Sequence, residues 1–187
     1  MRALGVGAIV TSALVASGCS GGSATNPDED LAATLCGALR EHTNVLVGIA
    51  NDAAAGIHTR SPADRVERLE AGYAAADAAV ADWGEDVRSL DLPDVVEAEE
   101  LRADLLAGVD AGRAEIDDER AAFADAYPSI TDGEVRGAVG FWFNSIEKVM
   151  SVSEPAIATY DRLELEEAFL EEPACRHVVQ QFTPDAP

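Results

Sequence analysis

From Val66 to Leu90 the apolar residues fall at alternating intervals of three and four: Val66, Leu69, Tyr73, Ala76, Val80, Trp83, Val87 and Leu90. An α-helix turns once in about 3.6 residues, so this spacing lays all eight on one stripe. A strand alternates with period two and cannot use it. A seam this regular suits a helix lying at a shallow angle against other helices. The chain must therefore supply partner helices, and the search for them organises the rest of the sequence.

Three partners are legible. The first helix opens at Asn26-Pro27-Asp28-Glu29, where Asn26 is a good N-cap and Pro27 suits the first helical position. Its stripe is Leu35, Leu39, His42, Leu46, Ile49 and Ala53; Gly56 is a stop signal, with Ile57 placed for the hydrophobic contact just beyond. Ser61-Pro62 opens the second helix, whose outer residues Glu67, Glu70, Asp77, Asp82 and Asp86 read as a solvated face. The third starts at Pro93 and carries Val95, Ala98, Leu101, Leu105, Val109, Gly112, Ile116 and Phe123, ending before Pro128. Gly108 and Gly112 on it allow close approach by a neighbour. Glu119 stands where this stripe calls for an apolar residue, so either it enters a space between helices or the helix frays there. The fourth follows a Thr131–Glu134 capping box and runs through Val135, Val139, Trp142, Ile146 and Val149. Pro155 should kink it, with Ile157, Tyr160 and Leu163 continuing its apolar face. No period-two segment of useful length appears. The expectation is all-α: an antiparallel up-down-up-down four-helix bundle over residues 27–182, with a loose tail at 183–187.

The start of the chain reads differently. Arg2 precedes an apolar run from Leu4 to Val15, which is too short to span a bilayer, and Ala16-Ser17-Gly18-Cys19 follows. These residues resemble a bacterial lipoprotein export signal. That family usually places Leu where Ala16 stands. The resemblance implies a signal peptide at 1–18, a diacylglycerol thioether on Cys19, and a flexible linker over 19–26. It also implies residence at the extracytoplasmic face of the cell membrane, held by the lipid, since two acyl chains anchor stably. The competing reading is a plain secreted protein cleaved near Ser20-Gly21.

With Cys19 lipidated, Cys36 and Cys175 remain as an even pair in an oxidising compartment, which reads as a disulfide. An up-down-up-down bundle brings the start of its first helix and the end of its fourth to one end, where these two cysteines fall. Pairing and topology thus support each other.

Composition narrows function. The formal net charge of −22 repels phosphate, which excludes nucleic acid as a partner. Hydrophobic residues at 48% are enough for a core, so the acidity does not imply disorder. Nucleophilic catalysis lacks its parts: there are three histidines, no Gly-x-Ser-x-Gly elbow, and no cysteine left free. Neither a Glu-x-x-His pair nor a haem-attachment motif occurs, so no metal or cofactor is expected. The acidic clusters Asp117-Asp118-Glu119 and Glu164, Glu166, Glu167 lack the alternate-position loop that holds Ca²⁺ and read as solvated.

Two candidate sites remain. Phe141 is expected to point outward from the fourth helix beside Lys148, forming a partner surface, while Phe143 lies at the core edge. His42, Tyr73 and Trp83 carry polar tips on apolar stripes and would line a ligand cavity between helices. The functional expectation is a non-enzymatic interaction module of the cell envelope engaging an envelope protein. The alternative is a small-ligand-binding lipoprotein.

Overall fold

The computed structural model describes residues 27–92, 96–153, 171–173 and 175, and among them no strand occurs. The leader with Cys19, the cap at Asn26, the start at Pro93, the Pro155 kink and the tail lie outside these residues. Four long helices follow one another: α1 (Pro27–Ala54), α2 (Pro62–Ser89), α3 (Val96–Ala126) and α4 (Val135–Ser153), with a 3₁₀ turn at Ile57–Thr59 between the first two. None of the described helices is long and apolar enough to cross a membrane.

The helix boundaries sit where local chemistry puts them. Gly56 adopts the left-handed conformation at φ 66°, which a Cβ would oppose, and Ile57 then drops into the core. The Ser61 hydroxyl accepts the Asp64 N–H at 3.2 Å ahead of Pro62. The capping box at Thr131 forms in half. Glu134 reaches back to accept the Thr131 N–H at 2.8 Å, but the Thr131 hydroxyl turns to donate to the same carboxylate at 2.6 Å. These bonds, the hydroxyl first, hold the Glu134 carboxyl below its usual range. The last carbonyls of α2 find an unexpected partner. Arg102 of α3 donates to the carbonyls of Val87, Arg88 and Leu90, satisfying acceptors that a helix end leaves over.

Packing joins α1 to α2, α2 to α3, α3 to α4 and α4 back to α1, while the backbones of α2 and α4 lie across the core and meet through Tyr73 and Trp142. The ion pairs Asp77–Arg113 and Glu70–Arg120 cross from α2 to α3. His42 meets Trp83 and Ala53 meets the backbone of Gly72 between α1 and α2. Between α3 and α4, Glu119 meets Ser145 and Phe123 meets Phe141. In these three pairs the contacts descend along one helix as they ascend along the next. The stripes read from the sequence form the core, centred on Trp142, Tyr73 and Phe123. Full burial of an aromatic or aliphatic side chain of this kind contributes about 1.5–3 kcal/mol, an upper estimate against a collapsed unfolded chain.

Two outer residues of α2 depart from the expected solvated face. Glu70 and Asp77 are half-buried by their arginine partners, because α3 lies close enough for long side chains to bridge. Pairs of this kind add little to stability, because water screens the exposed arginines. Glu119 enters the space between α3 and α4, and α3 continues through it to Ala126 without fraying. Cys36 and Cys175 lie within disulfide reach of each other, with their Cα atoms 5.0 Å apart.

The end of the bundle away from Cys36 is held by one buried cation. Arg65 is 3% exposed and follows the α2 stripe one turn before Leu69. Its Nε donates to the Ile57 carbonyl at 3.1 Å, Nη1 to the Ile130 carbonyl at 3.0 Å, and Nη2 to the His58 carbonyl at 3.1 Å. Nη2 also meets Asp132 Oδ1 at 2.6 Å. One guanidinium thereby ties the α1–α2 connection to the α3–α4 connection.

Candidate functional site

α2 carries small residues where it faces α1: Ala75, Ala78 and Ala79, opposite Ala38. Methyl groups cannot fill the gap between two helices, and a groove of about 810 Å³ runs along the junction. Val45, Ile49 and Leu90 add apolar wall. Its rim is acidic: Glu41, Asp82, Asp86 and Asp91 line it, and among the described residues no lysine or arginine does.

His42 and Trp83 form a stacked pair in this lining, with ring centroids 5.1 Å apart and planes 14° from parallel. They are 5% and 3% exposed. His42 Nε2 and Trp83 Nε1 are both sealed from solvent and neither has a hydrogen-bond partner. An unsatisfied buried polar group typically destabilises by about 1–3 kcal/mol, so two side by side call for a physical reason. Burial pushes the His42 imidazole down from 6.5 to about 4, so it is neutral at pH 7. A neutral imidazole offers a donor on one nitrogen and an acceptor on the other. The indole nitrogen only donates.

Tyr73 does not join this pair, contrary to the sequence expectation. It is fully buried in the bundle centre, edge-on to Trp142 at 4.8 Å, and its hydroxyl donates to Ser145 Oγ at 3.0 Å. Burial pushes its phenol up to about 12. The Ser145 hydroxyl in turn donates to Glu119 Oε2 at 2.6 Å, and Lys148 Nζ meets the other carboxylate oxygen. Burial alone would raise the Glu119 carboxyl, but the Lys148 and Ser145 bonds outweigh it and hold the group below its usual range. The Glu119 carboxylate also raises the Lys148 ammonium. This chain of bonds runs from buried Tyr73 through Ser145 and Glu119 to Lys148 at the surface, and it fixes α4 on α3.

The expected partner surface at Phe141 and Lys148 is not presented. The Phe141 ring packs on α3, 6.0 Å from both Phe123 and Tyr127, and Lys148 is engaged by Glu119. α4 is rotated from the sequence expectation because Ala138 and Ser145 also face inward. Phe143, expected at the core edge, is instead 39% exposed. His58 is exposed in the α1–α2 connection, and His177 lies outside the described residues. Among the described residues no group of three histidine, cysteine or acidic side chains is placed to hold a metal.

Sequence reasoning missed Arg65, Arg102 and Ser145. Arg65 had a usable signal, since it sits four before Leu69 and extends the stripe, but an arginine there reads as polar. Comparison with protein-family models, curated proteins and solved structures found no match.

Proposed function

We propose that this chain is exported, tethered to the outer face of the cell membrane through a lipidated Cys19, and works there by binding a small ligand rather than by catalysis. In this reading it is an up-down-up-down bundle, kinked at Pro155, whose ends are stapled by Cys36 and Cys175. The leader pattern supports the export and the tether. The single observation that carries the binding activity is the His42–Trp83 stack, with two buried ring nitrogens left without partners beside an 810 Å³ groove. Pockets for small ligands are usually apolar clefts of ~300–1,000 Å³ with a few placed polar groups, and this groove has both properties. The reading as a module for an envelope protein loses its proposed surface, since Phe141 is packed and Lys148 is paired.

The test is native mass spectrometry of the full chain extracted from its own membranes. A small-molecule adduct is expected, and Trp83→Phe should reduce its occupancy while leaving the fold intact. A chain that carries no adduct, with a Trp83→Phe variant indistinguishable from the parent, would overturn the assignment.

A further inference from the structure

We infer that the α1–α2 groove takes a small organic cation: a flat, largely apolar molecule bearing one positive charge and at least one hydrogen-bond acceptor. This rests on the groove being the binding site, and three features of its lining set the ligand's chemistry.

The first is charge. Glu41 of α1, Asp82 and Asp86 of α2 and Asp91 just beyond α2 line the groove, with no lysine or arginine among the described lining residues to neutralise them. Asp82 and Asp86 lie four apart on one face of α2, so their fields add over the same stretch. Clefts lined by one sign with low-dielectric walls concentrate the opposite charge. An anionic ligand would meet repulsion there, and a neutral one would gain nothing from the rim.

The second is shape and polarity. Ala38, Ala75, Ala78 and Ala79 leave a shallow trough of methyl groups, and Val45 and Ile49 wall it. A compact hydrated ion has no use for such a wall, whereas a flat hydrocarbon body does. A divalent metal is disfavoured on a second ground, since the described carboxylates form no group able to ligate one.

The third is the orphaned nitrogens. Trp83 Nε1 can only donate, so its partner must be an acceptor. His42 is neutral and can match either a donor or an acceptor. Both nitrogens are covered while the groove is open, so a ligand meets them when the stacked rings tilt toward it, and one that does so recovers the penalty that the unpartnered pair carries, which gives specificity beyond charge and shape.

The experiment uses berberine, a flat monocation with ether oxygens whose fluorescence reports transfer to an apolar site, added to the purified full chain. Anilinonaphthalene sulfonate serves as the flat anion and anthracene-9-methanol as the flat neutral compound. Berberine should bind; the anion should not, and the neutral compound should bind at least tenfold more weakly. The exposed pair Asp82→Asn/Asp86→Asn should weaken berberine about three- to tenfold. The exposed pair Asp118→Asn/Asp125→Asn on α3, which removes the same charge elsewhere, should leave it unchanged. Trp83→Phe keeps the ring and removes the N–H, and should weaken binding about fivefold. Equal loss from both acidic pairs would mean diffuse attraction to an acidic protein and would overturn the inference. Binding of all three compounds, lost in Trp83→Phe but indifferent to Asp82 and Asp86, would keep the groove as the site and refute the cation. Failure of every compound to bind would remove both.

Discussion

Replacing Arg65 with alanine should be among the most damaging single changes in the protein, although Arg65 is charged and its one acidic partner is almost fully exposed. The Asp132 side chain is 94% exposed, so the ion pair itself contributes about 0–1 kcal/mol. The energy lies elsewhere. Three backbone carbonyls, at Ile57, His58 and Ile130, accept from the guanidinium, and those of Ile57 and Ile130 are buried. Hydrogen bonds from a charged donor contribute about 1.5–3 kcal/mol each, and a stranded buried acceptor destabilises by about 1–3 kcal/mol. Some of this is recovered by water entering the gap, so the expected net loss for Arg65→Ala is about 3–5 kcal/mol. Asp132→Ala should lose less than about 1 kcal/mol. Arg65→Lys should fall between them, since an ammonium cannot present the fork that spans both connections. Urea denaturation followed by circular dichroism gives all three values from the midpoint shift at constant slope. If Asp132→Ala proves as destabilising as Arg65→Ala, the surface ion pair matters more than the carbonyl clasp. If Arg65→Ala loses under about 1 kcal/mol, the two connections are not tied together by this side chain.

Other expectations follow from the same geometry. His42 titrates near 6.5 when unfolded but only near 4 in the fold, so the unfolded chain binds the extra proton first. Its contribution is fully present above pH ~6.5 and fades as pH falls towards 4, where the loss reaches roughly 3 kcal/mol. Denaturation midpoints measured from pH 7 to 4 should therefore fall less steeply for His42→Phe than for the parent, and equal slopes would contradict a buried neutral imidazole. A Cβ on Gly72 would lie 2.9 Å from the Trp142 ring and 3.0 Å from Ala53 Cβ. Trp142 cannot swing away without losing its bond from Nε1 to the Ala50 carbonyl at 3.0 Å. Overpacking of about 1–3 kcal/mol should outweigh the helix gain of about 0.5–1 kcal/mol, so Gly72→Ala should melt lower than the parent; a higher melting temperature would show that α1, α2 and α4 have slack there. Glu119→Gln removes the charge that Ser145 and Lys148 serve and should destabilise by about 1–3 kcal/mol at pH 7. The folded carboxyl is held low, so the gap between parent and variant should narrow as pH falls through its titration, and a gap that widens in acid would refute the assignment.

Helix identity and most of the core were readable because they depend on spacing alone. The stripe from Leu69 to Val87 is buried as read, and Gly56 and Ser61 mark the boundary they advertise. Rotation about a helix axis was harder. Ala138 and Ser145 broaden the inner face of α4, and a shift of part of a turn moved Phe141 inward and Phe143 outward. Small and hydroxylated residues carry little hydrophobic signal, so their side of a helix is set by what packs opposite. The candidate site was half legible. His42 and Trp83 could be placed on facing stripes, but Tyr73 shares the α2 stripe with Trp83 without sharing its neighbours, since it meets Phe123 and Trp142 at the bundle centre while Trp83 meets α1. The acidic rim was visible only as charge. That it borders a trough depends on the alanines of α2 being too small to close it, which is a property of two helices together.

The tether on which the assignment of location depends is measured most directly at the first residue of the mature protein. Mass spectrometry of the N-terminal peptide from membrane-extracted protein should find Cys19 first in the chain with a diacylglycerol thioether on its sulfur, and Cys19→Ala should leave the protein free of the membrane. A mature chain that begins elsewhere, with Cys19 removed or bearing an unmodified thiol, would contradict it.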